Sequence, residues 1–111
     1  MSLSAGLHER AMSAADRGDA LRQWGDDAGA RGAFHEAMVL EAQAAEAEST
    51  EPSRGILHRG AAWLAVAAEE LAEAERLALA GLASAELPER VQQELMEVLE
   101  AARAGRRGGV A

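Results

Sequence analysis

The chain has 111 residues, with 11 basic side chains, all of them arginine, against 19 acidic ones, for a net charge of −8. That length is one domain by ordinary size priors, and a uniformly negative field repels phosphate backbones, which argues against a nucleic-acid partner. The absence of cysteine removes disulfides, thiolate nucleophiles and thiolate metal ligands together.

Two prolines and a composition dominated by alanine, leucine, glutamate and arginine predict an all-α protein. A first helix is expected from about Leu3 to Trp24, stopped by Gly25. Asp26 or Asp27 caps a second helix that runs to about Glu48, with Ala30, Ala33, Phe34, Ala37, Met38 and Leu40 on its inner side. Ser49-Thr50-Glu51-Pro52-Ser53 is a break, with Pro52 in the first turn of a third helix that ends near Ala68. A fourth helix runs from about Leu71 to Ser84. Pro88 opens a fifth, whose apolar face is Leu87, Val91, Leu95, Val98, Leu99 and Ala102. Residues 1–103 form the domain, and the glycine- and arginine-rich 104–111 are expected to be a flexible tail.

Five helices with short connections favour antiparallel neighbours. The third helix stands apart because Gly60 to Ala68 contains no charge, and only a helix flanked on two sides needs so broad an apolar surface. Burying Trp63 within it would contribute roughly 2–3 kcal/mol. Met1 to Glu9 has neither a basic start nor an apolar run, so no secretory signal is visible and a cytoplasmic location is expected. No apolar stretch approaches the roughly 20 residues of a membrane span.

Small residues recur in register. Gly18 and Leu21 in the first helix, Gly25-Asp26 at the turn, and Ala30, Phe34 and Ala37 in the second are followed by Ala62 and Ala65, Glu69-Glu70, then Ala74, Ala78 and Gly81. Over about residues 11–85 this resembles two divergent tetratricopeptide-type helix-turn-helix units, and the Glu51-Pro52-Ser53-Arg54 segment that opens the third helix resembles small uncharacterised bacterial proteins of this type. The units are 44 residues apart (Ala30 to Ala74) where that family uses about 34. The family's first-helix tryptophan and leucine are replaced by Ala14 and Arg17, then by His58 and Ala61. The second unit also lacks the turn glycine and the aromatic. The fifth helix would cap the open apolar end.

The resemblance implies a groove lined by the first helix of each unit, taking a peptide or helix of another protein. It would show Met12, Ala15, Asp19, Arg22 and Gln23 from the first unit and Ile56, Arg59, Trp63, Val66 and Ala67 from the second. Of these, Arg22, Ile56, Arg59, Trp63 and Val66 are the candidate partner-binding residues. Ile56, Arg59, Trp63 and Val66 follow at three- and four-residue steps, so they share a face, opposite Leu57, Ala61, Leu64 and Ala68. Tryptophan and arginine are enriched at binding hot spots. Against this, a tryptophan in a small helical domain is more often core, and Arg59 more simply pairs with an internal glutamate.

Catalysis and metal binding find no motif. His8, His35 and His58 are far apart, neither His-Glu-x-x-His nor Glu-x-x-His occurs, and Gly25 to Gly32 lacks the lysine and strand of a phosphate loop. Surface or groove-rim positions are the expected place for the histidines. The expectation is therefore a non-enzymatic interaction module without cofactor or metal. A homodimer is also expected, because two units and a cap are marginal where stability usually needs three or more repeats, and Leu3, Leu7 and Met12 at the start of the first helix can pair across a two-fold axis. The rival readings are a self-assembling structural protein and a metal-binding helical bundle.

Overall fold

The computed structural model describes residues 2–110, and over them the fold is all-α. Five helices follow in order: α1 Leu3–Gln23, α2 Asp27–Ala47, α3 Ser53–Ala67, α4 Leu71–Leu82 and α5 Glu89–Val110. Each packs on the next in sequence, and α3 also meets α5. The result is a slab of 38 × 34 × 19 Å. Side-chain neighbours make consecutive helices antiparallel: Ser4 reaches Ala44, Glu41 lies on Gly60, His58 faces Gly81, and Arg103 reaches Glu75.

The helix starts follow local chemistry. Ser2 accepts a hydrogen bond from the Ala5 amide, and Asp26 accepts one from Gly29, so both caps satisfy amides that a helix cannot pair internally. α3 begins at Ser53, directly after Pro52, one residue later than a proline in the first turn would place it.

The turns after α1 and α3 are built alike. Trp24 N–H donates to Ala20, Gly25 to Arg22 and Asp26 to Leu21; 44 residues on, Ala68 donates to Leu64, Glu69 to Val66 and Glu70 to Ala65. The middle residue of each is left-handed, Gly25 at φ 83° and Glu69 at φ 61°. This is the glycine-favouring end of a helix, written once with glycine and once without.

The core is made by small residues. Ala61, Ala62 and Ala65 of α3 are fully buried with Ala74, Leu77 and Ala78 of α4 and Leu95, Val98 and Ala102 of α5. A second cluster, Ala30, Phe34 and Ala68, joins α2 to the end of α3, with Ala15, Leu21, Leu64 and Ala67 packed against it. Close approach is enforced at Gly55, where an added methyl would stand 2.8 Å from Ser84 Oγ and 2.9 Å from its Cβ.

Residues 104–110, read from sequence as a tail, continue α5 to Val110; Ala111 lies outside the described residues. The extension has contacts that composition does not show. Leu71 lies against Gly105, and Arg103 and Arg106 both reach Glu75 of α4.

Glu69 is the residue whose backbone is least suited to its place. A left-handed conformation costs a side-chain-bearing residue about 1–2 kcal/mol, and the exposed Arg31–Glu69 pair at 3.2 Å offsets only part of that. Glu69→Gly is expected to stabilise the fold by roughly 0.5–1 kcal/mol, read as a higher melting temperature. Gly55→Ala, by contrast, should destabilise by about 1–3 kcal/mol in chemical denaturation, because Ser84 and Leu87 in the connection between α4 and α5 must move away from α3.

Candidate functional site

The side of α3 that carries Ile56, Arg59, Trp63 and Val66 runs between α5 and α1. Arg59 donates from Nη1 to Glu94 Oε2 of α5 at 2.8 Å, both side chains being about 30% exposed. Toward the other end, Val66 and Ala67 form the wall of a cleft of about 530 Å³ whose opposite side is Arg22, Asp27, Ala30 and Arg31, with Glu69 at its edge. The face is therefore continuous from the fifth helix to the first.

The five candidates divide. Arg22 and Val66 come together in the cleft. Trp63 is 38% exposed and belongs to neither buried cluster, so its ring is open to solvent along part of its surface. Ile56 is half-buried against the main cluster, as Val66 is, so each offers an edge and not a whole side chain. Arg59 is engaged with Glu94 within the chain, which removes it as a free cation. In the first helix Met12, Asp19 and Gln23 are exposed, and Ala15 is half-buried against the Phe34 cluster.

Arg22 is presented differently. Its guanidinium carbon lies 4.7 Å from the centroid of the Phe34 ring, and it has no ion-pair partner among the described residues. The ring faces attract the cation and hold its planar head in place while its N–H groups remain available. The cleft thus sets Ala30, Val66 and Ala67 beside a cation held over an aromatic ring, with Asp27, Arg31 and Glu69 also in its lining.

Sequence reading passed over Glu41, the one deeply buried charged residue among the described residues, at 2% exposure. Its two oxygens take His8 Nδ1 at 2.8 and 3.0 Å, and one lies where a methyl at Gly60 would come within 2.8 Å. Burial raises the Glu41 carboxyl above its ordinary value, and the hydrogen bond and charge of His8, then the charge of Arg59, offset this only in part. Glu41 was findable: in α2 it falls on the stripe of Phe34, Ala37, Met38, Ala44 and Ala45, where a charge interrupts an apolar run.

The histidines separate as well. His8 and His35 are about half-exposed and bond Glu41 and Glu70, the latter at 2.6 Å. His58, expected at the surface or the groove rim, is half-buried on α3 against Gly81 of α4; desolvation lowers its pKa, and its Nδ1 is buried without a hydrogen-bond partner. Among the described residues no three histidine, aspartate or glutamate side chains converge, and no helix is long and apolar enough to cross a membrane. No protein-family model, curated protein or solved structure gives a match to this chain.

Because the fold holds the Glu41 carboxyl up, its contribution to stability is fullest where it is protonated, below the unfolded value, and is lost as pH rises through the raised folded value. Glu41→Gln, neutral at every pH, should gain on the wild type as pH rises. Denaturant melts of both proteins at about pH 4 and about pH 8 test this, and a wild type that gains on the variant at the higher pH contradicts it.

Proposed function

We propose that this chain is a non-catalytic, tetratricopeptide-like interaction module that binds a peptide or helix of another protein along the α1–α3 face. The observation that carries the reading is the cleft joining Arg22 to Val66, with the open Trp63 further along the same side of α3. A donor held over an aromatic ring beside Ala30, Val66 and Ala67 suits a segment that presents a polar or acidic group next to aliphatic side chains. The repeated turn at 44-residue spacing supports a two-unit origin for the helices that line this face. Arg59 serves here to fix α3 against α5, and the contact residues are Arg22, Trp63 and Val66, with Ile56 contributing an edge. The site is expected to act in the cytoplasm, with neither cofactor nor metal.

Affinity capture from a cell lysate, read by mass spectrometry, tests the reading with wild type and Arg22→Glu/Trp63→Ala as baits. Both exchanged side chains are exposed enough for the variant to keep its helical spectrum and melting temperature, which is checked first. A protein retained by wild type and at least about tenfold depleted on the variant supports the face, since one lost hot spot is worth a factor of that order. Equal retention on both baits places binding elsewhere. The self-assembly reading is favoured by a different observation, the exposure of Leu3 at the start of α1 and of Trp24 just past its end.

A further inference from the structure

α5 carries its charge in two blocks. Glu89 to Glu100 holds four glutamates and one arginine, and residues 101–110 hold three arginines and no acid. The helix dipole accounts only for the ends, since its pull falls off within a turn, and Glu97, Glu100 and Arg103 lie outside those turns. Val91, Leu95, Val98, Leu99 and Ala102 form the buried side. On the outward side, alternating steps of four and three residues give one row: Glu89, Gln93, Met96, Glu100, Arg103 and Arg107, every member exposed. Clefts of about 520, 310 and 410 Å³ follow one another along this row, the last shared with Glu75 of α4. Met96 is 53% exposed, and Leu79, one turn beyond Glu75 on the same side of α4, is 46% exposed. Gly81 meets Leu95 and Glu75 meets Arg103, so Leu79 stands beside the middle of the row.

Charge decides what fits there. Among the described residues Arg103 reaches Glu75, while Glu89, Glu100 and Arg107 have no ion-pair partner. A second α5 laid parallel on the row would set each charged residue against its own copy, glutamate on glutamate and arginine on arginine. Reversed about a two-fold axis level with Val98, the same row sets Glu89 on the partner's Arg107, Gln93 on the partner's Arg103 and Met96 on the partner's Glu100. Symmetry makes each of these contacts twice. Moving the axis half a heptad toward the start of the helix sets Glu89 on the partner's Glu100, and moving it as far the other way carries Glu89 past the end of the partner's α5.

We propose that the outward row of α5 is a self-association surface whose occupant is α5 of a second copy, antiparallel about a two-fold axis level with Val98. Met96 and Leu79 put the apolar part of the contact at its middle, and the glutamate–arginine pairs lie at its ends, a division of core and rim. With little apolar area the dimer is weak and concentration-dependent. The surface is separate from the cleft between α1 and α3 and does not rest on the groove reading.

Glu89 and Arg107 are exposed, so exchanging them should leave the helical spectrum and melting temperature in place. In sedimentation at low salt, Glu89→Arg and Arg107→Glu should each weaken self-association about tenfold, because each sets like charges together at both symmetric ends. The double exchange Glu89→Arg/Arg107→Glu should restore it, and so should mixing the two single variants. Single exchanges without effect, or a double variant as weak as the singles, overturn the alignment. The chain has no cysteine, so introduced thiols report without background. Under mild oxidation Gln93→Cys and Arg103→Cys should each stay unlinked alone, since each lies about three turns from its own copy, and should form a linked dimer when mixed. Linkage of either variant with itself overturns the antiparallel register. No linkage in the mixture, or a mass that stays at one chain at every concentration, overturns the surface.

Discussion

The arrangement depends on how closely α3 can be approached from two sides. Ala61, Ala62 and Ala65 are fully buried, each presenting a methyl group where a leucine would hold the neighbouring helix away. Interiors this close-packed feel a change of one methylene, which is why Gly55 and Gly60 stand where Ser84, Leu87 and the Glu41 carboxylate press in. Once α2 and α4 occupy those flanks, the remaining side of α3 is committed. Trp63 is left open there because no helix reaches it, and Arg59 is tied to α5.

Charge follows the same order as packing. Arg17 reaches Glu36, Arg31 and His35 reach Glu69 and Glu70, Arg59 reaches Glu94, and Arg103 reaches Glu75. Three of these join two helices and two tie α2 to the turn before α4, and as pairs open to solvent each contributes little by itself. Glu41 is the exception, a carboxylate withdrawn from water among α1, α2 and α3, and its burial is tolerable because His8 supplies the bond that solvent no longer can.

Much of the helix pattern is legible in the sequence because capping is local. Asp26, Gly25 and Pro88 mark ends that their own neighbours enforce, and the stripe from Val91 to Ala102 survives intact as the buried side of α5. The extension past Ala104 is not legible, since glycine and arginine there read as a tail until Leu71 and Glu75 arrive from α4. The candidate site divides on the same principle. That Ile56, Arg59, Trp63 and Val66 share a face follows from spacing. That Arg59 meets Glu94, and that Arg22 stands over Phe34 facing Val66, depends on pairings 35 and 12 residues apart or more, which periodicity does not carry.

The order of contacts has a consequence for how the chain finds this state. Apart from the meeting of α3 with α5, the main packing joins helices that are adjacent in sequence. Such a topology has low contact order, so little loop entropy is spent before contacts form, and folding belongs in the microsecond-to-millisecond class of helical proteins. It also makes the chain approach a one-dimensional array in which structure can begin at any hairpin and spread to the next. Fraying then starts at the ends, at α1 and α5, while α3 with neighbours on both sides is the last helix to lose its place.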